Sequence, residues 1–131
     1  MKCVAVTPEG VRVDQEVKFV VAPLYDGEYG IGKDHAPVVG RLGAGEARLT
    51  LEDGSIERWY LEGGFVEVAG NVVSILTDSA YELKSLDLDA ARKELDEAVA
   101  WECSPILAED KARVVERVRA KVRAAEKAAK L

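Results

Sequence analysis

The chain has 131 residues, 48% of them hydrophobic and 32% charged, with a formal net charge of −6, and that length fits one domain or one domain plus an extension. No apolar run approaches the ~18–20 residues that span a bilayer. The N-terminus, Met1-Lys2-Cys3-Val4, enters a strand pattern at once, without the apolar stretch of a signal peptide or the Arg/Ser bias of a transit peptide, so a protein made and used in a cytoplasm, or in an organelle that encodes it, is expected.

From Met1 to about Lys84 the apolar period is two, the period of strands with one buried face. Lys2-Cys3-Val4-Ala5-Val6 alternates, and Glu16-Val17-Lys18-Phe19-Val20-Val21 reads as a mostly apolar strand. Gly27, Gly30 and Gly32 resemble a phosphate loop only superficially, because no Gly-Lys-Ser/Thr follows and no helix begins there. Gly30 and Gly32 are expected to permit tight turns. His35, the single histidine, follows in a loop that ends at Pro37. One histidine builds neither a multi-histidine metal site nor a relay with a paired Cys or Ser, so its expected role is structural or interfacial.

Residues 38–42 form the next strand. Ala47-Arg48-Leu49-Thr50-Leu51 alternates into Asp53-Gly54, a strong hairpin signal. Ile56-Glu57-Arg58-Trp59-Tyr60-Leu61 is the return strand. Phe65-Val66-Glu67-Val68 and Val72-Val73-Ser74-Ile75-Leu76 flank Gly70-Asn71, and Ala80-Tyr81-Glu82-Leu83 closes the series. Eight to ten short strands with turn signals about every 8–12 residues predict a sandwich or flattened barrel.

The period then changes. Ser85 or Asp87 can cap a helix, and Leu88, Ala91, Leu95, Ala98 and Glu102 recur at helical spacing, with Val99 beside Ala98. Ser104-Pro105 supplies a cap candidate and a proline for the start of a second helix. On it Val115, Val118, Val122, Ala125 and Ala129 step by three and four, a narrow seam of the coiled-coil kind. So few heptads, with a short turn between, predict an antiparallel hairpin. Full burial of a Val contributes ~1.5–3 kcal/mol and of an Ala much less, against ~1–2 kcal/mol of backbone entropy per ordered residue. The hairpin is therefore expected to be marginal and conformationally labile.

Charge divides along the same line. Residues 1–110 carry 10 Lys+Arg against 22 Asp+Glu, and residues 111–131 carry 8 against 2. Such a split marks an interaction element with an acidic partner. Its basic face is Arg113, Arg117, Arg119, Lys121 and Arg123. Without interleaved aromatics, and beside an acidic β-region, this is no nucleic-acid signature. The second helix also lacks the Trp and Phe of a membrane-surface helix. Cys3 and Cys103 stand a hundred positions apart, which is neither a metal nor a redox motif, so both are expected as reduced thiols. The carboxylate pairs Glu52/Asp53, Asp87/Asp89 and Asp96/Glu97 read as solvated faces, and no nucleophile–base pair is visible.

In order and spacing these features resemble a family. Glu28-Tyr29-Gly30-Ile31 followed by His35-Ala36-Pro37, then Gly63-Gly64-Phe65-Val66-Glu67-Val68, then Asn71-Val72-Val73-Ser74-Ile75-Leu76-Thr77-Asp78-Ser79-Ala80, and finally Leu88-Asp89-Ala90-Ala91-Arg92, are similar to the epsilon subunit of F-type ATP synthases, called delta in mitochondria. The resemblance implies an α+β fold: an antiparallel β-sandwich of about ten strands over residues 1–85, binding the rotor stalk, and a regulatory two-helix antiparallel hairpin over 86–131. It implies a non-catalytic central-stalk subunit of a proton-translocating ATP synthase, peripheral at the cytoplasmic face of the membrane. Its partners are the gamma subunit, the c-ring and transiently the alpha/beta head, whose ATP hydrolysis the hairpin inhibits. It places docking on Glu28, Tyr29 and His35. It requires no cofactor and suggests ATP as a regulatory ligand, held by Leu88, Asp89 and Arg92 with Arg119 and Arg123 facing the phosphates. This sequence departs from the family at Gly32-Lys33-Asp34, Lys93 and Val99. The alternative reading is a generic ligand-binding β-sandwich that dimerises through Val115, Val118 and Val122.

Overall fold

A computed structural model describes residues 1–131. Nine strands come first: β1 (Lys2–Thr7), β2 (Gly10–Leu24), β3 (Gly27–Gly32), β4 (Val38–Arg41), β5 (Ala44–Leu51), β6 (Ile56–Glu62), β7 (Phe65–Ala69), β8 (Val72–Leu76) and β9 (Ser79–Glu82). Helices α1 (Leu88–Ala100) and α2 (Ala108–Ala129) follow, and the chain divides into two compact units, Met1–Glu82 and Leu83–Leu131. The class is a β-sandwich followed by a helical hairpin, as expected, with nine strands where about ten were implied.

The 15-residue β2 belongs to both layers of the sandwich. Its first half pairs with β1, and its second half lies between β3 and β5. One layer therefore runs β4-β7-β8-β1-β2 and the other β2-β5-β6-β9, with β3 on the free side of β2. The register of β2 shifts opposite Ala5/Val6 and again between Val17 and Phe19. Bulges of this kind bend a strand and let it turn the corner between sheets. β1 and β8 run parallel, while every other pair is antiparallel. Period-two alternation puts Cys3, Ala5, Val66, Val68, Val73 and Ile75 of one layer against Val20, Ala22, Ile31, Leu49 and Leu61 of the other, all buried.

Gly30 and Gly32 do not form turns. They lie within β3, opposite Val21 and Phe19 of β2. The Phe19 ring covers both: a Cβ on Gly30 would sit 2.8 Å from its Cζ, and one on Gly32 3.5 Å from its Cε2. An aromatic ring from the neighbouring strand supplies the surface that these glycines lack.

The second unit opens with a 3-10 turn, Leu83–Ser85. Asp87, not Ser85, caps α1, its Oδ1 accepting from the backbone N–H of Asp89 (2.9 Å) and Ala90 (3.2 Å). Ser104-Pro105 does not begin α2. It begins a 3-10 turn, Pro105–Leu107, in which Ser104 makes no side-chain cap bond, and α2 starts at Ala108. The helices are antiparallel, since Glu94 pairs with Lys121 (3.1 Å) and, two residues earlier, Arg92 reaches Glu126 (3.9 Å). Ala91, Val122 and Ala125 form a small core with Leu86, Leu88 and Leu95 against it. The expected seam holds in its middle, where Val118, Val122 and Ala125 are buried. Val115 is half-buried and Ala129 exposed, while Ala120 and Ala124 are buried beside the seam. Glu102 lies beyond the end of α1.

Candidate functional site

The loop from Glu28 to Pro37 is built on β3 and the five residues that link it to β4. The Tyr29 hydroxyl lies 2.8 Å from His35 Nε2, and the rings meet edge to face at 5.5 Å. His35 Nδ1 lies 2.6 Å from the Ala36 carbonyl oxygen. A carbonyl only accepts, so Nδ1 carries a proton and donates, and Nε2 of the neutral ring accepts from the tyrosine. Both ring nitrogens are engaged within the loop.

Asp34 pins the same loop from the other side. Its backbone N–H donates to Asn71 Oδ1 (2.7 Å), and Asn71 Nδ2 donates back to Asp34 Oδ1 (3.0 Å). The loop is thereby fastened to the β7–β8 turn. Glu28 is held by Arg48 of β5, whose Nη1 lies 2.7 Å from Glu28 Oε2 and 3.0 Å from Glu46 Oε1. Arg58 of β6 shares Glu46 Oε1 at 3.1 Å. The bond to Glu28, with help from Glu46, raises the Arg48 pKa further above its ordinary value. Glu28, Tyr29 and His35 thus stand on one braced loop, and Glu28 presents its carboxylate at the surface.

On the hairpin the basic residues divide into two stripes. Arg113, Arg117 and Lys121 are spaced by four along one side of α2, while Arg119 and Arg123 follow another. Arg113 meets Glu109 and Asp110 of its own helix, and Lys121 meets Glu94 of α1. Arg119 and Arg123 are exposed on the stripe that continues to Glu126. Arg92 reaches this stripe through Glu126, so it is drawn toward the side of α2 that carries Arg119 and Arg123. Asp89 is exposed in the first turn of α1, and Leu88 is half-buried. A shallow groove of about 550 Å³ elsewhere on the hairpin is lined by Glu94, Glu97, Ala98, Ala100, Trp101, Val114 and Val118. Its two carboxylates disfavour phosphates.

The structure also exposes residues that sequence reading passed over. Tyr25, Arg41, Phe65, Leu76, Val6 and Val11 are all exposed on the β-unit. Their signal was faint: in Phe65-Val66 and Ile75-Leu76 both the inward and the outward position are apolar, so neither run alternates cleanly.

Comparison with known proteins bears on both units. Residues 1–83 match the family described as ATP synthase, Delta/Epsilon chain, beta-sandwich domain. The ATP synthase epsilon chain of Rhodopirellula baltica is 42% identical over 125 residues, which cover 95% of this chain and 97% of that one. The sodium-ion-specific epsilon chain of Propionigenium modestum is 33% identical over 110 residues, covering 84% and 78%. In fold, the chain is similar to one in the solved Euglena gracilis mitochondrial ATP synthase (TM-score 0.79, 24% identity, covering 90% of this chain and 76% of that one). It is also similar to one in the central stalk and c-ring of the Tetrahymena thermophila enzyme (TM-score 0.74, 15% identity, covering 95% and 96%). A β-sandwich of this topology followed by a two-helix hairpin, matched along nearly its whole length, makes the chain a member of the ATP synthase delta/epsilon family.

Proposed function

We propose that this chain is the non-catalytic central-stalk subunit of a proton-translocating F-type ATP synthase, linking gamma to the c-ring and restraining ATP hydrolysis through its hairpin. The observation that carries the reading is the 42% identity to an epsilon chain across 97% of that chain, which takes in both units. The β-unit, expected over residues 1–85, makes the permanent contact through Glu28, Tyr29 and His35. Their loop is braced from three sides, so it needs little ordering on docking. No helix is long and apolar enough to cross a membrane. Membrane association, at the cytoplasmic face, then comes through the partners.

The helical unit, expected over 86–131, is the regulatory arm. The cluster of Ala91, Val122 and Ala125 is backed by three half-buried leucines, and the other buried helix residues, Ala98, Val118, Ala120 and Ala124, are also small, a packing weak enough to rearrange. Arg113, Arg117, Arg119, Lys121 and Arg123 supply the charge that meets an acidic surface of the catalytic head. Exposed pairs at ~0.2–1 kcal/mol each bias such an arm without locking it. ATP as a regulatory ligand would rest on Leu88, Asp89, Arg92, Arg119 and Arg123. The dimerisation alternative loses its apolar face, because Val118 and Val122 are buried within the chain. Co-purification with the gamma subunit tests the docking role: a stable one-to-one complex is expected, and an isolated chain that dimerises and ignores gamma overturns it. A fluorescence titration tests the ligand: a saturable response to ATP below millimolar supports it, and none up to millimolar removes it.

A further inference from the structure

We infer that the groove between the C-terminal half of α1 and the N-terminal half of α2 binds a small organic ammonium with an apolar body, and that the bound cation clasps the two helices together. The site stands on the hairpin alone, and its regulatory meaning rests on the stalk-subunit reading. It uses none of the residues named for docking, for ATP or for the basic face.

The end of α1 is short of positive charge. From Glu94 to Asp110 the chain carries six acids, Glu94, Asp96, Glu97, Glu102, Glu109 and Asp110, and no Lys or Arg. The last turn of α1 lies inside this run and has no basic residue. A helix C-terminus is the negative end of the backbone dipole and is stabilised by a cation in its last turn. Glu109 and Asp110 suit their place in the first turn of α2, at the positive end of that helix. Glu97 has the opposite setting, a carboxylate at a negative end, so the cation that this end favours must come from outside.

The groove gives such a cation a place. Glu94, Glu97 and Trp101 are spaced by three and four, which sets them along one stripe of α1. Ala98 and Val118, both buried, and the half-buried Val114 line the groove with them. Lys121 of α2 holds its ammonium 3.1 Å from Glu94 Oε2, so this stripe already binds one amine. Glu97, nearly one turn further along, is exposed and makes no ion pair. Trp101 is 38% exposed beside it, and an indole face is the aromatic surface that attracts cations most strongly. An ammonium between Glu97 and Trp101 would therefore lay its apolar body over Ala98 and Val114.

The lining selects the class of ligand. A groove of about 550 Å³ is of small-ligand size. The carboxylates reject phosphates and other anions. Two carboxylates over an apolar floor fall short of the roughly six oxygens that a calcium ion takes, and no three potential metal ligands cluster in the chain. Residues of both helices line the groove, so a ligand that fills it binds the closed hairpin and stabilises it by mass action.

The test is titration of the full chain with 2-phenylethylammonium, followed by the NMR signals of the two tryptophan indole N–H groups. Its neutral counterpart, 2-phenylethanol, is titrated in parallel. A saturable shift of the Trp101 signal is expected, with the Trp59 signal, from a residue buried in the β-unit, unmoved. The alcohol is expected to bind about ten-fold more weakly. Glu97→Gln and Trp101→Leu are each expected to weaken the ammonium by about two- to five-fold. Hydrogen exchange across α1 and α2 is expected to slow when the ammonium is bound. Equal binding of alcohol and ammonium would show an apolar patch with no preference for charge, and would overturn the inference. Shifts that never saturate, or that both variants leave unchanged, would overturn it as well. Unchanged exchange at saturation would overturn the clasp. None of these readouts involves gamma or ATP hydrolysis, so failure here leaves the stalk reading standing, and failure of that reading leaves the site standing.

Discussion

Asp34 and Asn71 hold each other by two reciprocal hydrogen bonds, and they are the two non-glycine residues with left-handed backbone, at φ 61° and 59°. Asn and Asp tolerate that region better than other side chains. Each strained position therefore supplies the polar group that fixes the other, and together they tie the Glu28–Pro37 loop to the β7–β8 turn. Asn71→Gly relieves the backbone but loses both bonds, and is expected to cost about 1 kcal/mol. Asn71→Ala keeps the strain as well, and is expected to cost about 2 kcal/mol. Denaturant unfolding of the two variants and of Asp34→Ala, closed as a double-mutant cycle, measures the coupling. Additive losses would show that the two residues act independently.

Gly64 and Gly54 both have positive φ, at 97° and 88°, yet they differ in what surrounds them. A Cβ on Gly64 would sit 1.9 Å from the Leu76 carbonyl oxygen and 2.8 Å from Thr77 Cα, whereas one on Gly54 meets nothing within 4 Å. Gly54→Ala carries only backbone strain, about 1 kcal/mol. Gly64→Ala must move the β8 backbone, and a loss above about 4 kcal/mol or failure to fold is expected. Equal unfolding midpoints for the two variants would contradict this.

These turns show where the sequence was readable. Asp53-Gly54 announced its hairpin, and Gly70-Asn71 the break between β7 and β8, because positive φ demands particular residues. β6, β7 and β8 were found because their inward positions are apolar. β3 was missed because Gly27, Gly30 and Gly32 leave no period, and its register depends on the Phe19 ring, which lies on another strand. The proline at 105 marked the start of a turn, since a ring that fixes φ suits a 3-10 turn as well as α-helix. Glu28, Tyr29 and His35 were legible as a motif, but Arg48, Glu46 and Asn71, which brace them, come from distant strands and carry no local signal. The outward pair Phe65 and Leu76 was hidden because it only assembles once β7 and β8 are aligned.

Cys3 and Cys103 are expected to behave differently. Cys3 is fully buried, and burial, with the nearby Glu57 charge, pushes its thiol up to about 12 from 9.0. Cys103 is partly exposed. A thiol reagent at neutral pH should titrate one group in the folded chain and two after unfolding. The unfolded thiol ionises above about pH 9 and the folded one not until about 12, so the neutral thiol's contribution is intact below pH 9 and is lost as pH rises toward 12. The difference in stability between wild type and Cys3→Ala should narrow over that window, by at most about 4 kcal/mol. A difference that stays constant from pH 8 to 11 would contradict the assignment.

Glu126 competes for the arginine that a nucleotide would need. Its carboxylate lies 3.9 Å from Arg92 Nη2, and both side chains are about half exposed. An exposed pair is worth ~0.2–1 kcal/mol, and removing the carboxylate also removes repulsion of phosphate. Glu126→Gln is expected to tighten ATP binding by about two- to five-fold, read by fluorescence titration, while Arg92→Ala abolishes it. Binding unchanged in both variants would place any nucleotide elsewhere.

The central claim is that the β-unit docks to the stalk and the hairpin restrains hydrolysis. The most direct measurement is the ATP hydrolysis rate of the ATP synthase assembled either with the full chain or with a chain ending at residue 86. Both should co-purify with gamma and the c-ring, and the shortened chain should give the faster hydrolysis. Equal rates from two fully assembled complexes, or failure of the shortened chain to assemble, would contradict that division of labour.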